Sequence, residues 1–280
     1  MEIGIVGLGL IGGSLAIDLK QQGHRLVGVS RRVETCQRAV ATGIVDQAGA
    51  DLGLVASAEV VFLCTPLGAI AATVTELLPL LSPATILTDV GSVKASVVEL
   101  LAPRWPNFVG GHPMAGKAES GLEAAEAGLF RERAYVITPV ESTPQPAIAT
   151  VAQLAKSLGS QVYYCDPQVH DQAVAWISHL PVMVSASLIS ACTTAEPLVL
   201  ELAQKLASSG FRDTSRVGGG NPELGVMMAR YNQEALLQAL YSYRQQCDQV
   251  IHLIEQADWA GLEQALIQTQ QDRTEFRICQ

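Results

Sequence analysis

The first twelve residues restrict the fold more than any other stretch of the chain. The apolar run Ile3–Val6 leads directly into Gly7-Leu8-Gly9-Leu10-Ile11-Gly12, and a helical pattern follows over Gly13–Gln22. Glycines at this spacing between a strand and a helix serve three separate needs. Gly7 permits a tight turn, Gly9 lets a pyrophosphate approach the backbone, and Gly12 lets helix and strand pack closely. The helix N-terminus adds unpaired N–H groups and the positive end of its dipole. The whole turn, with Leu8, Leu10 and Ile11, is therefore the expected phosphate-binding part of a dinucleotide site.

The kind of dinucleotide is read at the end of the second strand. Proteins of this design that take NAD place an Asp or Glu about 20 residues beyond the glycines, where it accepts both ribose hydroxyls. Here the strand ends Val29-Ser30-Arg31-Arg32, with no carboxylate. An acid would repel a 2′-phosphate, whereas Ser30 can donate to it and Arg31 and Arg32 can pair with it in bidentate fashion. The expected cofactor is NADP.

Apolar runs at Ile3–Val6, Leu26–Val29, Val60–Cys64, Ile86–Val90, Phe108–Gly110, Tyr135–Ile137 and Gln161–Cys165 alternate with helical stretches such as Leu67–Leu81 and Val93–Leu101. Such alternation signifies a parallel sheet wrapped by helices. After Asp166-Pro167 the strand signals stop. The expected architecture is an α/β Rossmann-type dinucleotide-binding domain over 1–166, followed by an all-α dimerisation domain over 167–280. In the latter, Leu236, Leu240, Tyr243, Cys247, Val250, Ile251 and Ile254 recur at helical spacing within Asn232–Gln256. A helical unit of this size is expected to bury such a face against a second copy, giving a homodimer.

A net charge of −9 argues against nucleic acid as a partner. The segment Ala173–Ala195 lacks Asp, Glu, Lys and Arg and approaches the length of a membrane span. It contains His179, Pro181 and several hydroxyl residues, which are costly in lipid, so a buried interface helix is the expected form and no membrane partner is expected. Six cysteines without a Cys-x-x-Cys pair read as reduced thiols. The N-terminus has neither a basic n-region nor a cleavable signal, and a cytoplasmic location is expected.

Three segments follow sheet strands, where open parallel sheets bind ligands: Cys64-Thr65-Pro66, Asp89-Val90-Gly91-Ser92-Val93-Lys94 and Gly110-Gly111-His112-Pro113-Met114-Ala115-Gly116. Thr65 and Pro66 are expected beside the cofactor. His112, exposed to the crevice, is suited to accept a proton near neutral pH. By spacing alone it serves equally well as a loop residue bonded to a backbone carbonyl.

The motifs at 7–14, 89–94 and 110–116, with Ser178-His179-Leu180-Pro181 and Gly210-Phe211-Arg212-Asp213-Thr214-Ser215-Arg216, resemble the arogenate/prephenate dehydrogenase family of tyrosine biosynthesis. The resemblance spans both halves of the chain. It implies that His112 takes the proton of the substrate's ring hydroxyl as hydride leaves the same carbon, and that Ser92 holds His112 in position. Carbon dioxide then leaves the opposite ring carbon. Neither a metal nor a covalent intermediate is implied. Arg216 is the implied partner of the ring carboxylate, oriented by Asp213 one turn earlier if the stretch is helical. Ser178 lies on the cleft face with Asp171, Val182 and Ser185, and Pro181 would kink that helix and free the carbonyl of Ile177. His179 reads as a satisfied core histidine; His170 has the same reading, with a place at the domain seam.

Three positions depart from the pattern common in prephenate-using relatives. Val182 replaces a histidine, Gly225 a tryptophan and Ala118 a glutamate. Arogenate is therefore the expected substrate. The competing readings are a prephenate dehydrogenase forming 4-hydroxyphenylpyruvate, a cyclohexadienyl dehydrogenase of relaxed selectivity and a non-catalytic NADP-binding sensor. A β-hydroxyacid dehydrogenase is disfavoured, because it needs a catalytic lysine in its helical domain and Lys205 lacks that motif.

Overall fold

The computed structural model describes residues 1–117 and 119–276. Ala118 and the last four residues, Cys279 among them, lie outside the described residues. Eight strands form one sheet: β1 (Glu2–Val6), β2 (Arg25–Val29), β3 (Gln47–Gly49), β4 (Val60–Leu63), β5 (Ile86–Asp89), β6 (Phe108–Pro113), β7 (Ala134–Thr138) and β8 (Gln161–Tyr164). Their order is β3-β2-β1-β4-β5-β6-β7-β8. Around it run α1 (Leu10–Gln21), α2 (Val33–Ala41), α3 (Leu67–Leu77), α4 (Ala95–Leu101) and α5 (Gln145–Ser157).

The inner strands are nearly continuous apolar runs because both of their faces are covered. One core layer joins α3 and α4 to the sheet through Ile70, Val74, Val97 and Leu101. The other joins α1 and α5 through Leu15, Leu19, Leu154 and Leu158. Two features depart from the expected parallel alternation. The short edge strand β3 carries no apolar run that marks it, and β7 pairs antiparallel with β6. β6 also extends beyond Gly110, so His112 lies within a strand opposite Val136.

From Pro167 onward the described residues are helical: α6 (Pro167–Val174), a π turn (Ala175–His179), α7 (Leu180–Cys192), α8 (Pro197–Leu206), α9 (Ser209–Ser215), α10 (Pro222–Tyr231), α11 (Gln233–Glu255) and α12 (Trp259–Glu275). Asp166 caps α6, accepting from the N–H groups of Gln168 and Val169. Where a kink at Pro181 was expected, the wider π turn comes just before α7, with Pro181 in the first turn of that helix. A π turn shifts the hydrogen-bond ladder by one residue, which suits a proline that has no N–H to give.

The 26-residue stretch Pro167–Cys192 contains an 18-residue window with a mean hydropathy of 1.5, long and apolar enough to cross a membrane. Its polar side chains bind it instead to the rest of the protein. Asp171 accepts from the backbone N–H of Lys94 at 2.7 Å and of Ala95 at 2.9 Å, at the start of α4. The amide of Asn232 donates to the Asp171 carbonyl at 2.7 Å. The two halves of the chain are thus joined at one buried carboxylate. The apolar face of α11 divides: Leu236 is buried against Leu180, whereas Tyr243, Val250, Ile251 and Ile254 remain 40–51% exposed.

Candidate active site

The glycine turn opens at the C-terminal edge of the sheet, between β1 and β4. Gly7 has φ +110°, and a Cβ there would lie 2.6 Å from the Cys64 carbonyl, so the turn tolerates only glycine. A Cβ on Gly12 would sit 2.0 Å from the carbonyl oxygen of Gly7. Gly9, in contrast, faces open space, with nothing within 4 Å of an added Cβ. It is also the N-cap of α1, and no side chain caps that helix. The first-turn N–H groups of Leu10 and Ile11 therefore border the open approach beside Gly9. The side chain of Leu8 is buried against Gly28. Just past β4, Thr65 carries an enclosed hydroxyl oxygen with no partner among the described residues, and Pro66 is the N-cap of α3. These residues fit a dinucleotide: a backbone that a phosphate can approach, flanked by a hydroxyl that lacks a partner.

Ser30 follows β2 and is half-buried, and Arg31 and Arg32 beside it are exposed. The Ser30 hydroxyl accepts from the Arg32 N–H at 3.4 Å, which leaves its own hydrogen free to donate.

His112 stands farther along the same edge of the sheet. The expectation of an open crevice position needs correction, because the residue is only 8% exposed. Glycines precede it because β6 lies tight against its neighbours: a Cβ on Gly111 would fall 2.8 Å from the Asp89 carbonyl oxygen and 2.9 Å from the Tyr135 hydroxyl. Behind this strand lies a fully buried ion pair between Lys94 and Asp89. Lys94 also donates to the Gly111 carbonyl at 2.8 Å, and Asp89 accepts from the Gly111 N–H at 3.2 Å. Burial depresses the Lys94 pKa, while Asp89 acts to raise it. Burial also holds the His112 pKa well below its usual value, and His170, Lys94 and His179 push it the same way. His112 is therefore neutral at physiological pH.

Ser92, expected to hold His112, makes no hydrogen bond to it. The partner is His170, whose Nε2 lies 2.8 Å from Nδ1 of His112. His170 Nδ1 is in turn 2.7 Å from the Asp171 carboxylate. Nε2 of His112 has no protein partner among the described residues. His179, buried at the π turn, is half satisfied: its Nδ1 faces the Asn232 amide at 3.1 Å, while Nε2 is enclosed without a partner among the described residues. The sequence signal for the His170–Asp171 pair was their position at the seam, but their spacing from His112 carries no sign of contact.

Family models for the prephenate dehydrogenase nucleotide-binding domain and dimerization domain match residues 15–164 and 166–268. The chain belongs to the prephenate dehydrogenase family. A Synechocystis arogenate dehydrogenase structure shares 54% identity at a TM-score of 0.89, covering 98% of this chain and 99% of that one. A prephenate dehydrogenase from A. aeolicus, solved with hydroxyphenyl propionate and NAD+, is 28% identical at a TM-score of 0.92, covering 98% of both chains. Prephenate dehydrogenase of Bacillus subtilis is 32% identical over 92% of this chain and 71% of its own length.

Other positions singled out from the motifs of this prephenate dehydrogenase family lie on the helical side. Arg216 caps the C-terminus of α9 and is exposed. Asp213 does not orient it; that carboxylate pairs with Arg212 at 2.9 Å on the surface. Adjacent side chains along one exposed turn met more readily than the i,i+3 pair. Gly218 brings the Arg216 segment onto α7, donating to the Ser185 hydroxyl at 2.8 Å where a Cβ would lie 2.3 Å from the Ala186 nitrogen. Ser178 is half-buried in the π turn. The structure therefore joins His112 to His170 and Asp171, and leaves Ser92, Ser178, Asp213 and Arg216 without a mutual bond.

Proposed function

We propose that the chain is an NADP-dependent arogenate dehydrogenase, converting arogenate to tyrosine with loss of carbon dioxide. The observation that carries this reading is the 54% identity to the Synechocystis arogenate dehydrogenase over nearly the whole chain. The glycine turn, Thr65 and Pro66 would hold the dinucleotide, and Ser30, Arg31 and Arg32 its 2′-phosphate. A bound nicotinamide supplies the hydride acceptor. Nε2 of His112 accepts the proton of the ring hydroxyl, and Arg216 holds the ring carboxylate. Ser92 and Ser178 border the substrate, with Asp213 on the arginine's helix. Residues 1–166 act as the cofactor domain and 167–280 as the substrate and dimerisation domain of a cytoplasmic enzyme.

Arogenate differs from prephenate only in its side chain, which bears an ammonium in place of a keto group. A site that selects the amino acid avoids cations near that end. Two positions of departure from the prephenate pattern are neighbours: a Cβ on Gly225 would lie 3.9 Å from Val182. A histidine and a tryptophan are thus both missing from one spot, which favours arogenate. The 32% identity to the Bacillus subtilis enzyme supports the alternative, turnover of prephenate. Initial rates with each substrate and each of NAD and NADP separate them. Arogenate with NADP is expected to dominate, and Ser30→Asp to shift preference toward NAD. Comparable rates on both substrates would favour relaxed selectivity, and equal use of both cofactors would remove the argument from Ser30, Arg31 and Arg32.

The exposed apolar residues of α11, with Leu198, Val199, Leu202 and Leu206 of α8 at 56–81% exposure, require cover. A second copy is the proposed cover, consistent with the family's dimerization domain. Sedimentation is expected to show a dimer at working concentrations; a stable, active monomer would refute it.

A further inference from the structure

The bonds around His170 form a directional chain. Asp171 is 4% exposed, and its carboxylate accepts from two backbone N–H groups at the start of α4 as well as facing His170. A carboxylate can only accept, so Nδ1 of His170 carries a hydrogen. In a neutral imidazole the other nitrogen is then an acceptor. Nε2 of His170 faces Nδ1 of His112 at 2.8 Å, so with His170 neutral the hydrogen in that contact belongs to His112. Nε2 of His112 is left with its lone pair bare.

We propose that His170 and Asp171 are positioning residues that lock His112 as the Nδ1–H tautomer and relay the proton it takes. The inference rests on the reading of His112 as the base. When the ring hydroxyl gives its proton to Nε2 of His112, the O–H electron pair becomes part of the new carbonyl. The Nδ1 proton of His112 passes to Nε2 of His170, whose Nδ1–H stays on Asp171. Positive charge thereby moves one ring nearer to a buried carboxylate and away from Lys94. After carbon dioxide leaves, the same protons return in reverse and the phenolate oxygen becomes the phenol. No net proton is gained or lost.

The lock can be read without turnover. ¹⁵N NMR of the histidine-labelled, unmodified protein near pH 7.5 is expected to show Nδ1 protonated and Nε2 bare on both His112 and His170. A hydrogen on Nε2 of either ring overturns the lock. The relay is read from single-turnover nicotinamide reduction in H2O–D2O mixtures. A curved dependence on deuterium content, reporting two moving protons, is expected for the unmodified protein, and a linear one overturns the relay. His170→Gln keeps an acceptor for His112 but cannot pass a proton. It is expected to preserve the His112 tautomer, lose on the order of 10-fold in rate and become linear. His170→Leu removes the acceptor and is expected to lose on the order of 10²-fold. Equal rates for both variants and the unmodified protein overturn the proposal. Should His112→Asn retain turnover, the base reading itself fails, while the NMR result still decides the lock.

Discussion

His112→Asn is expected to lower kcat by roughly 10²–10⁴-fold while leaving NADP affinity nearly unchanged. Asparagine reproduces the Nδ1 end of the ring, so its amide can still donate to His170 and keep the packing of β6. It has nothing at the position of Nε2. A base acts mainly in the transition state, where the hydroxyl proton is in flight, so the loss falls on kcat and little on ground-state binding. NADP contacts the glycine turn and the β2 end in the proposed site, and the substitution touches neither. Steady-state rates with arogenate and a fluorescence titration with NADP check both halves. A rate within a few-fold of the unmodified enzyme would return His112 to the status of a structural strand residue.

Acidification is expected to destabilise the fold well before its carboxylates protonate. His179 is fully enclosed, and burial pushes its pKa down to about 4 from 6.5, against an opposing pull from Asp171. His112 is depressed in the same direction. Both rings bind a proton more readily unfolded than folded. Between about 6.5 and 4 the unfolded chain therefore holds more protons, and stability falls as pH falls through that window. Above 6.5 their contribution is complete. For His179 a shift of this size corresponds to about 3 kcal/mol by the bottom of the window, on the order of a hundredfold in the unfolding equilibrium. Urea midpoints at pH 7.5, 6.0, 5.0 and 4.5 would fall steadily, and His179→Gln would flatten the slope. Midpoints that do not move between pH 7.5 and 4.5 would refute the account.

The glycine turn shows how much of the site was legible in the sequence. Its three glycines answer to three local backbone needs, and the structure meets each at the expected residue: a positive φ at Gly7, open space at Gly9 and contact at Gly12. The strand ends before Thr65 and at Asp89 were legible in the apolar runs that precede them, whereas β6 continues past the Gly110-Gly111 pair to Pro113. Edge strand β3 was not legible, because three residues without apolar alternation leave no periodic trace.

Polar partners were the other blind spot. The motif resemblance implies Ser92 as the holder of His112 and Asp213 as that of Arg216; the structure gives His112 to His170 and Asp213 to Arg212. A π turn before Pro181 stands where a kink is expected, and His179, expected to be satisfied, has one nitrogen without a partner among the described residues.

By itself the sequence determined that the chain begins with a dinucleotide-binding turn, continues as a sheet wrapped by helices and ends in helices with apolar faces. Those properties are written in backbone preferences and in apolar periodicity over a few neighbouring residues. Tertiary structure alone decided which polar groups meet. His112 and His170 are 58 residues apart in sequence, and Asp171 reaches 77 residues back to the N–H of Lys94. No local pattern encodes such pairings, because the hydrogen bonds of a buried group are set by whichever elements enclose it once the core has packed.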